Sequence, residues 1–118
     1  MKNFTSICNK GFVMAINGYS ISVQYGPGNY VDSDIRYSDD NPMDHGVWES
    51  DLAEVMVTDL LNRPLFDKGD DYLDDAVLGH CTSETVARII STLVHAPEGE
   101  DVRPAIVQIV EASNSTCY

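Results

Sequence analysis

The sequence predicts a single small α+β domain, in which an antiparallel sheet begins with an N-terminal β-hairpin and carries one or two packed helices. Three observations predict this fold class. Asn17-Gly18 separates an apolar stretch from a stretch that alternates between apolar and polar residues. Apolar residues recur with helical spacing over residues 84–94. The length of 118 residues and the hydrophobic content of 43% suit one domain, residues 1–118, with a core of its own.

The hairpin is predicted over residues 12–25. Asn-Gly favours a type I′ turn, because both central residues of that turn need a positive φ. In the second arm every other residue is apolar, as in a strand with one buried face: Tyr19, Ile21, Val23 and Tyr25. Gly26 and Pro27 end this strand, because proline lacks a backbone donor. Residues 1–11 are expected to be a loose N-terminal arm, and the start of translation, at Met1 or at Met14, stays open.

Residues 51–61 fit either a strand or a helix. Val55 and Val57 favour a strand over 53–59, because β-branched residues pack well on a sheet. The spacing of residues 52, 56 and 60 also fits one face of a helix. A turn at 62–64 is expected to lead to a short return strand at Leu65 and Phe66, and residues 75–79 are expected to be extended.

Two helices are predicted in the last third of the chain. Thr82 or Ser83 can cap the first, over 84–94, within the longer stretch 82–96. Its apolar face contains Val86, Ile89, Ile90, Leu93 and Val94. A second helix over 101–112, with Asp101 as its cap and Pro104 in the first turn, is favoured over a strand, although the β-branched residues there fit both. Residues 113–118 are expected to be a polar tail.

The formal charge of -12 is unevenly distributed along the chain. Residues 1–31 contain Lys2 and Lys10 and no acid, whereas residues 32–75 contain 14 acids against three bases. Residues 76–118 contain five acids against two bases. A field of this kind repels nucleic acid and anionic membranes and attracts basic proteins. The expected partner is therefore a basic protein, with no direct contact to nucleic acid or membrane.

The cysteines and the apolar runs predict a reduced, cytoplasmic protein. The count of three is odd, there is no CxxC, and no secretory leader pattern opens the chain. The longest apolar run is far shorter than the roughly 20 residues that a membrane-spanning helix needs.

The middle of the chain holds the candidate partner-binding residues. Residues 30–45 form a long polar stretch with scattered aromatics, which predicts a surface loop. The candidates are Tyr30, Asp32, Asp34, Tyr37, Asp39, Asp40, Asp44, Trp48, Asp67, Asp70, Asp71, Asp74 and Asp75. Aromatic side chains anchor interfaces, and carboxylates can replace phosphates in front of Arg or Lys. The alternative is that the tyrosines close the core and the acids only increase solubility.

Other chemistry has weaker support in the sequence. The carboxylates of 67–75 suit Ca²⁺ or Mg²⁺, but their spacing does not match a calcium loop. His80 and Cys81 are adjacent, which is poor spacing for zinc. Cys81 as a nucleophile with His45 or His95 as its base is possible by residue type only, and burial as a small apolar residue is favoured. We therefore predict no catalytic residue, no metal and no cofactor.

Three stretches carry a resemblance to a class of phage proteins: residues 17–26, residues 53–57, and residues 74–80 running into Ser83-Glu84-Thr85-Val86-Ala87. In their order along the chain and in their mix of residue types, these stretches resemble small uncharacterised bacteriophage accessory proteins. The resemblance implies a small α+β protein that acts on its host by binding. Some acidic proteins of this kind are anti-defence inhibitors, including anti-CRISPR proteins that occupy nucleic-acid channels. No functional residue is carried over.

Together these features predict a non-enzymatic acidic inhibitor that blocks a basic, nucleic-acid-handling protein in the cytoplasm of the host bacterium, in its sharpest form as a nucleic-acid mimic. Two alternatives stay open. One is a structural or self-assembling phage protein, for which a homodimer is a possible form. The other is a divalent-metal-binding protein or a small hydrolase.

Overall fold

The structure, a computed structural model, describes residues 3–6, 11–25, 51–66 and 77–113. Its strands are β1 (Phe4–Ser6), β2 (Gly11–Ile16), β3 (Tyr19–Gln24), β4 (Leu52–Thr58) and β5 (Leu78–Thr82), and its helices are α1 (Ser83–His95) and α2 (Arg103–Ala112). The strands form one antiparallel sheet in chain order, with β1 and β5 at its edges. The predicted α+β fold class is confirmed.

The predicted hairpin is β2 and β3. Asn17 and Gly18 have φ values of 48° and 83°, as the type I′ turn requires. Ile21 and Val23 of β3 are buried under the helices, while Ser22 between them lies on the opposite face of the sheet. The alternation seen in the sequence therefore sets which face of the sheet joins the core.

The predicted loose arm over 1–11 is wrong for Phe4–Ser6, which pair with β2 as an edge strand. Ala15 N–H also donates to the carbonyl oxygen of Asn3 at 3.0 Å. The sequence pattern alone does not show this strand, because it is three residues long and its side chains are all exposed. Its backbone satisfies hydrogen-bonding groups that β2 would otherwise leave open.

The strand predicted over 53–59 is confirmed as β4, so the helical alternative for 51–61 does not hold. The return strand at Leu65 and Phe66 is reduced to an isolated bridge between Thr58 and Pro64. Next to it, the Leu65 N–H donates to the Val57 carbonyl oxygen at 2.9 Å. Proline limits the ladder there because it has no N–H. Phe66 is still buried, with 2% of its surface exposed.

β5 pairs with β4 through a register shift. Ala53 pairs with Cys81 and Val55 with Leu78, so two residues of β5 lie opposite Glu54. This arrangement is a β-bulge. The second of the two residues, His80, has a φ of 56°. The bulge lets Cys81 face the core before the chain turns into α1.

α1 follows the predicted helix closely. Thr82 is the N-cap, and its hydroxyl accepts a hydrogen bond from the Thr85 N–H at 3.2 Å. The buried side is centred on Thr85, Ile89 and Leu93. Val94, which was predicted to share this face, is 50% exposed. It lies one residue past Leu93, and each residue turns the helix by about 100°.

α2 confirms the helix predicted over 101–112 and settles it against a strand. Asp101 is not its cap: the N-cap is Val102, and Asp101 instead accepts hydrogen bonds from the backbone and guanidinium of Arg103. Ile106 and Val110 are its buried residues, and the helix packs on α1. The core thus lies between one face of the sheet and the two helices.

Candidate functional site

All the predicted partner-binding residues lie outside the described residues, in segments 26–50 and 67–76. They are Tyr30, Asp32, Asp34, Tyr37, Asp39, Asp40, Asp44, Trp48, Asp67, Asp70, Asp71, Asp74 and Asp75. The structure shows where the chain leaves and rejoins the sheet around these segments.

Segment 26–50 is attached at both ends to one end of the sheet. Gln24 pairs with Glu54, so Tyr25 and Asp51 lie at the same end of β3 and β4. Leu52 pairs with Thr82, so α1 also begins there. We call this end, marked by Tyr25, Asp51 and Ser83, the upper end of the sheet. The chain therefore leaves the sheet for segment 26–50 and rejoins it after that segment at the upper end, and the segment contains five Asp residues and Glu49.

An apolar groove of about 300 Å³ lies at the upper end, between α1 and the sheet. Phe12 and Tyr25 from the sheet and Val86 and Ile90 from α1 form much of its wall, and Asp51 is the charged residue on it. Such a groove can accept an apolar side chain next to a basic group. The groove was not predicted, because its walls come from elements far apart in sequence.

The opposite end of the sheet has a wider and more polar cleft of about 500 Å³. The hairpin turn, the turn over 59–63 and the link between the helices line it. Arg63 Nε lies 2.9 Å from an Asp59 carboxylate oxygen. Hydrogen bonds from the Arg63 backbone N–H and guanidinium hold the pKa of the Asp59 carboxyl below its usual value. Leu60 and Leu61 project from this turn, 84% and 70% exposed.

The hairpin turn also holds the end of α1. The Asn17 side-chain amide donates to the carbonyl oxygens of Leu93 at 3.0 Å and Ala96 at 3.1 Å. These are carbonyls that the last turn of a helix leaves without an intrahelical donor. The hairpin turn is therefore hydrogen-bonded to the C-terminal end of α1.

Within the described residues, Cys81 and His95 do not lie together as a nucleophile and its base. Cys81 is 1% exposed and its thiol lies 3.4 Å from the Leu78 carbonyl oxygen. His95 is at the far end of α1, about 18 Å away along the helix at 1.5 Å per residue. His45 lies outside the described residues. Within 3–6, 11–25, 51–66 and 77–113, no three His, Cys, Asp or Glu side chains are grouped so that they could hold a metal ion.

Charge is separated across the described part of the molecule. Residues 3–6 and 11–25, which contain β1, β2 and β3, hold no charged side chain. Residues 51–66 and 77–113 hold eight acids against three arginines. The neutral side also contains Phe4, which is 70% exposed on the edge strand.

Comparison with known protein families, curated proteins and solved structures gives no significant match. Neither α1 nor α2, the helices of the described part, has the length and apolarity that crossing a bilayer requires.

Proposed function

We propose that this chain is a non-enzymatic acidic binding protein that blocks a basic, nucleic-acid-handling protein, as a phage-type inhibitor that mimics nucleic acid. The observation that carries the proposal is the negative charge of residues 32–75, a stretch that contains 14 acids and three bases. A basic channel that binds phosphates also attracts a dense set of carboxylates, because both present oxygens to Arg and Lys.

The attachment of segment 26–50 supports this use of the carboxylates. The residues that flank it, Tyr25 and Asp51, lie at the same end of the sheet, and in general a segment joined at both ends has less conformational freedom to lose on binding than a free tail has. The groove at the same end offers the partner an apolar contact beside Asp51. Tyr30, Tyr37 and Trp48 would then serve as aromatic anchors among the carboxylates.

The test is to capture partners from a bacterial host lysate on the immobilised full-length chain at low salt, and to identify what elutes at high salt. The purified partner is then titrated by calorimetry at several salt concentrations. We expect a basic nucleic-acid-binding protein whose affinity falls steeply with salt, because ion-pair formation releases counterions. A heparin competitor should displace the chain from it.

A pair of variants with equal charge change locates the surface. Asp70, Asp71, Asp74 and Asp75 are changed to Asn in one variant. Glu84, Glu98, Glu100 and Glu111, which are exposed on the helices and their link, are changed to Gln in the other. We expect the first variant to lose most of its affinity and the second to keep it. Equal losses, or affinity that does not change with salt, would contradict the proposal.

A further inference from the structure

Among the described residues, the outer edge of β1 has backbone groups that pair with no other strand. Within the described residues no strand lies beyond β1 in the sheet. The Ala15 N–H donates to the Asn3 carbonyl oxygen at 3.0 Å, so the backbone groups of Asn3 face β2. In an antiparallel pair these directions alternate from residue to residue. The N–H and C=O groups of Phe4 and Ser6 therefore point away from β2.

Phe4 adds an exposed apolar side chain to this edge. It is 70% exposed and pairs with Met14, which is only partly buried. α1 packs against β2, β3, β4 and β5, so Phe4 extends past the helix layer on the same face of the sheet. An edge strand that carries a large exposed apolar side chain is a template for pairing with a strand of another chain.

The distribution of charge indicates what covers it. A basic partner would find no carboxylate on β1, β2 or β3, because residues 3–6 and 11–25 are uncharged. Two copies of the chain can meet along this side without bringing the described carboxylates, which lie in residues 51–66 and 77–113, into the contact. An edge strand can also pair antiparallel with its own copy about a two-fold axis, which closes the assembly at two subunits.

We propose that the outer edge of β1 is a homodimer interface, across which the sheets of two copies join into one ten-stranded antiparallel sheet. With the two-fold axis at Thr5, Phe4 of each copy lies opposite Ser6 of the other, and the helices of both copies lie on one side. Phe4 and Met14 from each copy then pack across the junction. Because the pairing strand has three residues, we expect a dimer that dissociates on dilution.

Two variants remove the interface in different ways. Ser6→Pro removes an N–H that points outward, so the bonds between β1 and β2 remain. Phe4→Ser removes the apolar contact. Leu61→Ser is the matched control, because Leu61 is also 70% exposed but lies on the turn after β4. Far-ultraviolet circular dichroism checks that each variant is folded.

The readout is light scattering after size exclusion, from low micromolar to sub-millimolar concentration. For the wild type and for Leu61→Ser we expect the mass to rise from 13.0 kDa towards twice that value. For Phe4→Ser and Ser6→Pro we expect it to stay at 13.0 kDa. Amide hydrogen exchange on the wild type gives a second readout, because exchange at Phe4 and Ser6 should slow as the concentration rises.

Salt separates this proposal from the proposed function. Each copy carries a charge of -12, so added salt screens the repulsion between copies and should strengthen the dimer, whereas binding to a basic partner should weaken. A mass of 13.0 kDa at every concentration and salt level would overturn the dimer. So would growth beyond two copies, or a dimer that survives both edge variants.

Discussion

At the scale of single residues, a few backbone positions determine whether the sheet can form. Gly11 begins β2 with a φ of 152°, and a Cβ built there would lie 2.0 Å from the Val23 carbonyl oxygen. The obstacle is backbone on the paired strand, which cannot move without breaking the ladder. Gly99 also has a positive φ, 81°, but nothing lies within 4 Å of its Cβ position. Substitutions at the two glycines therefore distinguish the free-energy cost of a steric clash from the cost of a positive φ alone.

We expect Gly11→Ala to lower the free energy of unfolding by about 3 kcal/mol, and Gly99→Ala by about 1 kcal/mol. The first change adds a clash to the conformational cost, whereas the second has only the conformational cost. Urea denaturation monitored by circular dichroism measures both. If Gly11→Ala loses no more stability than Gly99→Ala, the close approach of β2 and β3 at Gly11 is wrong.

At the scale of elements, the hairpin and α1 are stabilised together. Asn17 has a φ of 48° in the turn and also donates to two carbonyls at the end of α1. Asparagine suits both tasks, because it tolerates positive φ better than most residues and carries an amide donor. The turn was predictable from Asn-Gly. The contact of Asn17 with Leu93 of α1, which lies 76 residues further along the chain, was not.

Substitution of Asn17 should separate these two tasks. Asn17→Gly keeps the turn and loses both hydrogen bonds, so we expect a loss of about 1 kcal/mol in the free energy of unfolding. Asn17→Ala should lose about 1 kcal/mol more, because alanine disfavours a positive φ. Equilibrium urea denaturation measures the order of stability.

Asn62→Gly is the control for this series, since Asn62 also has a positive φ, 60°, but lies in the turn after β4. We expect it to leave the stability nearly unchanged. Equal stability of Asn17→Gly and the wild type would show that the two bonds to α1 contribute nothing.

At the scale of the whole molecule, the charge of -12 acts on stability as well as on binding. Like charges repel more strongly in the compact state than in the extended chain, so the repulsion lowers the stability of the fold. The charges are concentrated between residues 32 and 75, while β1, β2 and β3 are neutral in the described residues. Salt should therefore act mainly through the acidic middle of the chain.

We expect the melting temperature at pH 7 to rise by several degrees between low and moderate sodium chloride, because salt screens this repulsion. Changing Asp70, Asp71, Asp74 and Asp75 to Asn should reduce the rise. Differential scanning calorimetry at one protein concentration measures it, and chloride is preferred to sulfate, which also strengthens apolar burial. A melting temperature that falls with added sodium chloride would contradict the expectation.

Local patterns in the sequence determined much of the fold. Asn-Gly with its flanking alternation predicted β2 and β3, the β-branched run predicted β4, and Thr82 with its apolar spacing predicted α1. These patterns succeed because turn geometry, capping and burial of one face depend on residues that are neighbours along the chain. The clustering of acidic residues in 32–75 was likewise evident from the sequence, although the candidate residues themselves lie outside the described part.

Only the tertiary structure showed the edge strand β1, the bulge opposite Glu54 and the groove at the upper end of the sheet. β1 is exposed on all its side chains and exists because β2 offers it backbone partners, so no side-chain pattern marks it. The groove combines residues from four strands and α1. Such features depend on which backbones pair and which elements meet in space, and the spacing of residue types along the chain does not specify either.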